Sequence, residues 1–166
     1  MLIVLSPRQK KRFPSSKTWD FRSDILANLE NLYREVIMEH YKNPRNKGLV
    51  EGLGYHIKHI KNPSCGDDVT IQTKCNEGVI EDCRFEGSGC SICCASASVL
   101  TETMIGKKVE EAEAIAHNYL KMVSNESIDP SIDLEEAEVF AGVRLFPARI
   151  KCASISWKAF LETIKK

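Results

Sequence analysis

The sequence lacks a long hydrophobic run and lacks an excess of either charge. No stretch reaches the roughly 18 consecutive apolar residues of a membrane-spanning helix, so we expect no membrane partner. Lysine plus arginine and aspartate plus glutamate number 23 each, and this zero net charge argues against a nucleic-acid partner. No secretory signal is predicted near Met1. In such a signal the basic residues come before the apolar segment, whereas here the apolar residues come first. A hydrophobic share of 43% in 166 residues fits one globular domain.

Cysteine is abundant instead. There are seven: Cys65, Cys75, Cys83, Cys90, Cys93, Cys94 and Cys152. An odd number cannot pair completely within one chain, and unsecreted proteins rarely keep disulfides. We therefore expect metal or sulfur chemistry in a cytoplasmic protein, and not a disulfide framework.

The first 23 residues differ from the rest in composition. They carry six basic residues and one acidic residue, Asp20, and two prolines interrupt them. Organelle transit peptides share the basic, acid-poor composition, but this stretch shows little amphipathic period. We predict a disordered basic tail over 1–23 and a folded domain over 24–166.

Hydrophobic periodicity predicts an α+β fold, because strands come early and helices late. A helix is expected from Asp24, with one apolar face made by Ile25, Leu26, Leu29, Leu32, Tyr33, Val36, Ile37 and Tyr41. A strand follows over 55–61, and then a hairpin turns at 76–78. Helices are predicted over 91–105 and 109–123. Asp133 and Glu136 resemble a capping box, which predicts a short helix that ends at about residue 143. A last helix is predicted from Pro147.

The positions of the cysteines divide them into two kinds. Cys75 and Cys83 occupy alternating strand positions that are expected to face inward, where cysteine behaves as a small hydrophobic residue. Cys65, Cys90 and Cys152 lie instead in turns or near helix starts, where they can approach one another. A helix N-terminus lowers the pKa of a thiol, which favours the thiolate at Cys90 and Cys152.

A carboxylate completes this set. Arg149 and Lys151 are expected to favour the Cys152 thiolate further, and Asp67 lies two residues after Cys65. Three thiolates and one carboxylate suit tetrahedral zinc, and they also suit iron in a sulfur cluster. The carboxylate is a harder ligand than sulfur, so it should hold a cluster less firmly and suit cargo that must leave.

Three other interpretations compete with a sulfur or cluster carrier. The Cys90-x-x-Cys93 spacing is also typical of thioredoxin-like redox proteins, but those need a parallel βαβ unit before the motif, whereas a hairpin precedes it here. A zinc deaminase needs His-x-Glu, which the sequence does not contain. A purely structural zinc module remains the alternative to a carrier. The four histidines, His40, His56, His59 and His117, belong to no motif and are expected to be structural.

Three motifs together resemble the U-type iron–sulfur cluster assembly proteins, the IscU, SufU and NifU N-terminal group. They are Cys65-Gly66-Asp67, the segment Gly87–Cys90 followed by Ala95–Ser98, and Phe146–Cys152. The resemblance implies a small three-stranded antiparallel sheet packed against several helices, with the site at one end. It assigns metal or cluster ligation to Cys65, Asp67, Cys90 and Cys152.

Within that family the chain is most similar to the SUF-type branch, because Lys151 stands where the IscU branch has histidine. The resemblance implies a zinc-bound sulfur acceptor or cluster scaffold with possible sulfurtransferase activity, not a conventional enzyme. Cys65 and Cys152 would be the persulfide acceptors. A cysteine desulfurase and apo iron–sulfur acceptor proteins would be its partners. Cys93 and Cys94 depart from the family pattern. They are either tolerated small residues beneath the site or spare thiols that could bind or relay sulfur.

Overall fold

A computed structural model describes residues 21–165. Over these residues the chain forms α1 (Phe21–Lys42), β1 (Tyr55–Asn62), β2 (Asp67–Asn76), β3 (Val79–Ser88), α2 (Ser91–Met104) and α3 (Val109–Val123), followed by a 3₁₀ helix (Glu135–Leu145) and α4 (Pro147–Ile164). The predicted α+β class and the three-stranded antiparallel sheet are confirmed. No helix among residues 21–165 is both long enough and apolar enough to cross a membrane.

The sheet has the order β1-β2-β3, and both neighbouring pairs are antiparallel. Its central hairpin turns through Glu77 and Gly78, whose φ angles are 50° and 77°. Two consecutive left-handed residues make the tight turn whose twist matches that of the flanking strands. This turn directs β3 back along β2, so β3 ends at Ser88 beside the start of β2 at Asp67.

Helices α2 and α4 pack together over one face of the sheet. Helix α2 is rich in alanine and serine, and these small side chains allow α4 to approach closely. The Trp157 ring of α4 stacks on Tyr119, with ring centroids 3.8 Å apart. Its Nε1–H donates to Ser96 Oγ at 2.9 Å, and Ser96 Oγ donates to the carbonyl of Ala153 at 2.8 Å. These polar core atoms therefore have hydrogen-bond partners, and the bonds fix the position of α4 along the axis of α2.

Helix α1 differs from its prediction at both the start and the apolar face. It begins at Phe21, so residues 21–23 are helical, although the sequence placed them in the tail. Residues 1–20 and the side chain of Ile25 lie outside the described part of the chain. Leu26, Leu29, Leu32 and Tyr41 are exposed, because the core packs against α1 only at Tyr33, Val36 and Ile37 among the described residues of the predicted face.

Two further local predictions were wrong. Cys83 is buried as expected, but Cys75 is exposed, because the pairing register slips between Lys74 and Cys75 and the strand then ends at Asn76.

The capping box is not formed either. Asp133 Oδ1 does accept a backbone hydrogen bond from Glu135 at 2.8 Å, but the Glu136 carboxylate points away to a histidine, described below.

Candidate functional site

The first part of the site is the turn that joins β1 to β2. Gly66 adopts a φ of 68°, a left-handed conformation that costs glycine little, and the chain reverses there between Cys65 and Asp67. Cys65 is half-buried at the outer corner of the turn. Asp67 begins β2 and is 2% exposed. The turn therefore presents one accessible thiol and one buried carboxylate to the same end of the sheet.

The second part is the junction between β3 and α2. The side chain of Cys90 caps α2, because its Sγ accepts a hydrogen bond from the Cys93 backbone at 3.4 Å. The backbone N–H of Cys90 donates to Asp67 Oδ1 at 3.1 Å. Only glycine fits at position 89, since a Cβ there would lie 2.4 Å from the same Oδ1. The Gly-Ser-Gly-Cys motif thus allows the chain to pass directly over the carboxylate.

The third part is the beginning of α4. Proline occupies the first helical position, which suits it because that position needs no N–H donor. Cys152 follows in the second turn and is fully buried. The Arg149 guanidinium lies 4.0 Å from Cys65 Sγ, and the carbonyl of Ala148 lies 3.8 Å from the same sulfur. The first turn of α4 therefore lies against Cys65, and its second turn carries Cys152.

Three of the four expected ligands converge. One ligand atom each from Cys65, Asp67 and Cys152 lies within 4.8 Å of the other two. Cys90 is adjacent, through its backbone bond to Asp67, but its Sγ is not part of that group of three atoms. The Cys90 side chain nonetheless interacts with Cys152, because it is one of the neighbours that raise the pKa of the Cys152 thiol. Two thiols and a carboxylate are a donor set that zinc accepts.

Asn62 is a residue of the site that the sequence analysis missed. It is 5% exposed at the end of β1, and its Nδ2 donates to Asp67 Oδ2 at 3.0 Å. The same nitrogen lies 3.8 Å from Cys152 Sγ. Each oxygen of the Asp67 carboxylate therefore has its own donor. The available signal was an asparagine at the end of a strand, immediately before the Pro-Ser-Cys turn.

The expectation of a favoured thiolate at Cys152 was wrong. Burial raises the pKa of the Cys152 thiol, and the neighbouring Asp67, Cys65 and Cys90 raise it further. The helix dipole acts mainly on the first turn, and Cys152 lies beyond it. Arg149 interacts with both Cys152 and Cys65, which raises the pKa of its guanidinium, but this attraction does not outweigh the burial of Cys152. Lys151 is exposed.

The two additional cysteines of α2 are not among the three convergent ligands. Cys93 is fully buried in the core, and burial raises the pKa of its thiol. Cys94 is half-buried, its Sγ lies 3.9 Å from the carbonyl of Gly89, and burial raises its pKa as well. These environments favour the neutral thiol, which is the poor nucleophile and the poor ligand.

Comparison with known proteins identifies the family of this chain. Residues 32–153 match the model of the NifU-like N terminal domain. The chain belongs to this family. It is 46% identical over 140 residues to the zinc-dependent sulfurtransferase SufU of Bacillus subtilis strain 168, an alignment that covers 84% of this chain and 94% of that protein.

Two further similar proteins cover most of the chain. The iron–sulfur cluster assembly scaffold protein IscU of Streptococcus pyogenes serotype M1 is 40% identical over 141 residues, covering 85% of this chain and 87% of that protein. A solved structure from Fervidobacterium islandicum AW-1, described as a cluster assembly scaffold for the SUF system, is 32% identical. It superimposes with a TM-score of 0.71 and covers 79% of this chain and 95% of that one.

Proposed function

We propose that this protein accepts sulfur from a cysteine desulfurase, builds or carries an iron–sulfur unit, and delivers it to apo iron–sulfur proteins in the cytoplasm. The observation that carries the proposal is the convergence of Cys65, Asp67 and Cys152 at one end of the sheet. The similarity to a zinc-dependent sulfurtransferase and to cluster scaffolds supports it.

We propose Cys65 as the residue that receives sulfur first. It is half-buried, whereas Cys152 is fully buried and out of reach of a partner's thiol. In the transfer, the Cys65 thiolate attacks the outer sulfur of the donor's persulfide. A new S–S bond forms at Cys65, the donor's S–S bond breaks, and the donor leaves as a thiolate without net oxidation or reduction. The nearby Arg149 guanidinium stabilises negative charge on the Cys65 sulfur.

Cys65, Asp67 and Cys152 would hold zinc together with the neighbouring Cys90. When bound, the ion keeps its coordinating thiols deprotonated, which offsets the effect of burial on Cys152. Asp67 is the hard member of the set, so it is the ligand expected to yield most easily to an incoming sulfur or acceptor ligand. Asn62 and the Cys90 N–H hold that carboxylate in position.

The ligand assignment is tested by single cysteine-to-serine variants. We expect zinc content per chain to fall sharply in Cys65→Ser, Cys90→Ser and Cys152→Ser, and to stay unchanged in Cys75→Ser, because Cys75 is exposed beyond the register slip. Because a hydrophobic core exists without the metal, the metal-free protein should stay folded and unfold at lower temperature. Zinc retained in Cys65→Ser but lost in Cys75→Ser would refute the assignment.

Sulfur transfer is tested by comparing Asp67→Ala with Asp68→Ala. Asp68 is the adjacent residue of β2, but its carboxylate is on the opposite face and pairs with His59 at 2.6 Å. We expect Asp67→Ala to slow transfer of sulfur or of a reconstituted cluster to an apo-ferredoxin, while Asp68→Ala transfers like the parent. Equal transfer rates in all three proteins would leave the structural zinc module as the better interpretation.

A further inference from the structure

A second cluster of ligand-type side chains lies away from the cysteines. His40 of α1 has a side chain only 2% exposed, and its Nε2 faces two carboxylates. Glu136 Oε2 of the 3₁₀ helix lies 3.0 Å from Nε2, and Glu102 Oε2 of α2 lies 3.9 Å from it. One atom of each side chain lies within 4.8 Å of the other two. Glu102 is twelve residues after Cys90, about 18 Å along the axis of α2 at 1.5 Å per residue.

The hydrogen bonds around His40 determine which ring nitrogen is available. His40 Nδ1 lies 2.7 Å from Ser98 Oγ, and the same hydroxyl oxygen accepts from the backbone N–H of Arg45 at 2.8 Å. A metal ion on Nε2 requires the ring proton to be on Nδ1, where the second lone pair of Ser98 Oγ can accept it. Nε2 then presents its lone pair toward the two carboxylates, whereas without the ion the other tautomer lets the Nε2–H donate to Glu136 at 3.0 Å.

The local charges also call for a cation. The carboxylates of Glu102 and Glu136 face His40 Nε2, and in the described part of the chain the Arg45 guanidinium pairs with one of them, Glu102, at 3.9 Å. Arg45 is also 3.5 Å from Glu39, so its charge is shared between two carboxylates. Negative charge therefore remains beside Nε2, where it favours a cation.

The geometry points to a second metal site, in which His40 Nε2 and one carboxylate oxygen each from Glu102 and Glu136 bind a divalent first-row metal ion such as Mn²⁺ or Zn²⁺. A tetrahedral ion with ligands at about 2.0–2.1 Å has ligand atoms about 3.4 Å apart, which falls between the two distances measured from Nε2. The Ser98 hydroxyl holds the imidazole through its other nitrogen, the support that metal-bound histidines usually have.

The donor set distinguishes this site from the cysteine site. One imidazole and two carboxylates suit Mn²⁺, whereas thiolates select zinc and iron–sulfur units. Both glutamate side chains are nearly half exposed, so the ion could enter from solvent and keep water ligands. Its three ligands come from α1, α2 and the 3₁₀ helix, so binding would join these elements and stabilise the folded state.

The test uses Mn²⁺ as the probe and the full chain loaded with one equivalent of zinc. Titration with Mn²⁺, followed by the electron paramagnetic resonance signal of the free ion, should show one bound Mn²⁺ per chain. Glu102→Gln and Glu136→Gln should each weaken binding at least about tenfold, the lower end of the effect expected for loss of a supporting group. Glu135→Gln is the matched control, because its carboxylate lies on the adjacent residue and pairs with Lys107.

A second measurement locates the ion. Sub-stoichiometric Mn²⁺ should broaden the imidazole proton signals of His40 before those of His117, which lies on α3 with its Nε2 3.9 Å from Glu113. Absence of Mn²⁺ binding, or equal weakening by Glu135→Gln and Glu136→Gln, would overturn the proposal and leave an ordinary histidine–glutamate hydrogen bond. Sulfur transfer by Glu136→Gln should match the parent, so this proposal can fail while the proposed function stands.

Discussion

Asn62 should determine both the stability of the metal-free protein and its affinity for zinc. In Asn62→Ala, the buried Asp67 carboxylate loses the donor to its Oδ2 and keeps the Cys90 N–H at its Oδ1. A hydrogen bond to a charged group is worth about 1.5–3 kcal/mol, so the metal-free variant should be about 2 kcal/mol less stable in urea unfolding. Loss of a group that orients a ligand should also weaken zinc binding about 10–100-fold.

The two effects should add when zinc is present. Zinc stabilises the folded state in proportion to the logarithm of its affinity, so a tenfold loss removes about 1.4 kcal/mol of that stabilisation. The stability difference between parent and Asn62→Ala should therefore widen by at least that amount in excess zinc. Asn43→Ala is the control, because Asn43 also donates to a carboxylate, that of Glu39, but on the surface. A difference that stays constant or narrows with zinc would refute the positioning role of Asn62.

Two further outcomes follow from the same structure. Gly87→Ala should disrupt folding as judged by circular dichroism and yield, because its Cβ would lie 2.2 Å from a backbone carbonyl oxygen of β2, whereas Gly142→Ala has open space and should fold normally. Burial raises the pKa of Asp82, but hydrogen bonds from Tyr55 and Arg84 outweigh burial and hold it below the ordinary value. Asp82 therefore stabilises the fold above its unfolded pKa of about 3.9, so the stability advantage over Asp82→Asn should shrink as pH falls from about 5 to 2.5.

The sequence determined the order of elements and most of their bounds. Alternating apolar residues fixed which faces of β2 and β3 are buried, since a strand's side chains alternate strictly. The turn at Glu77–Gly78 and the proline that opens α4 are local signals, and each acts through φ angles that neighbouring residues alone define. The three cysteine motifs likewise predicted which segments would meet, because the resemblance that they carry extends over most of the chain.

Local patterns failed where a residue's environment depends on distant segments. Cys75 follows the inward alternation in sequence, yet the register slip against β3 leaves it outside. Leu26 and Leu29 follow a helical apolar face, yet the core packs against α1 further along, at Tyr33, Val36 and Ile37. Whether an apolar face is covered depends on how far its partner helix extends, and periodicity carries no information about that.

Tertiary structure alone decided the chemistry of the site. Cys152 is near the start of a helix in sequence, but burial beside Asp67 raises its pKa, so desolvation outweighs the dipole of α4. Asn62 became part of the site only because the end of β1 lies beside both Asp67 and Cys152. Ligand types can be read from sequence because they are intrinsic to side chains, whereas pKa and ligand support depend on which atoms the fold brings within a few ångströms.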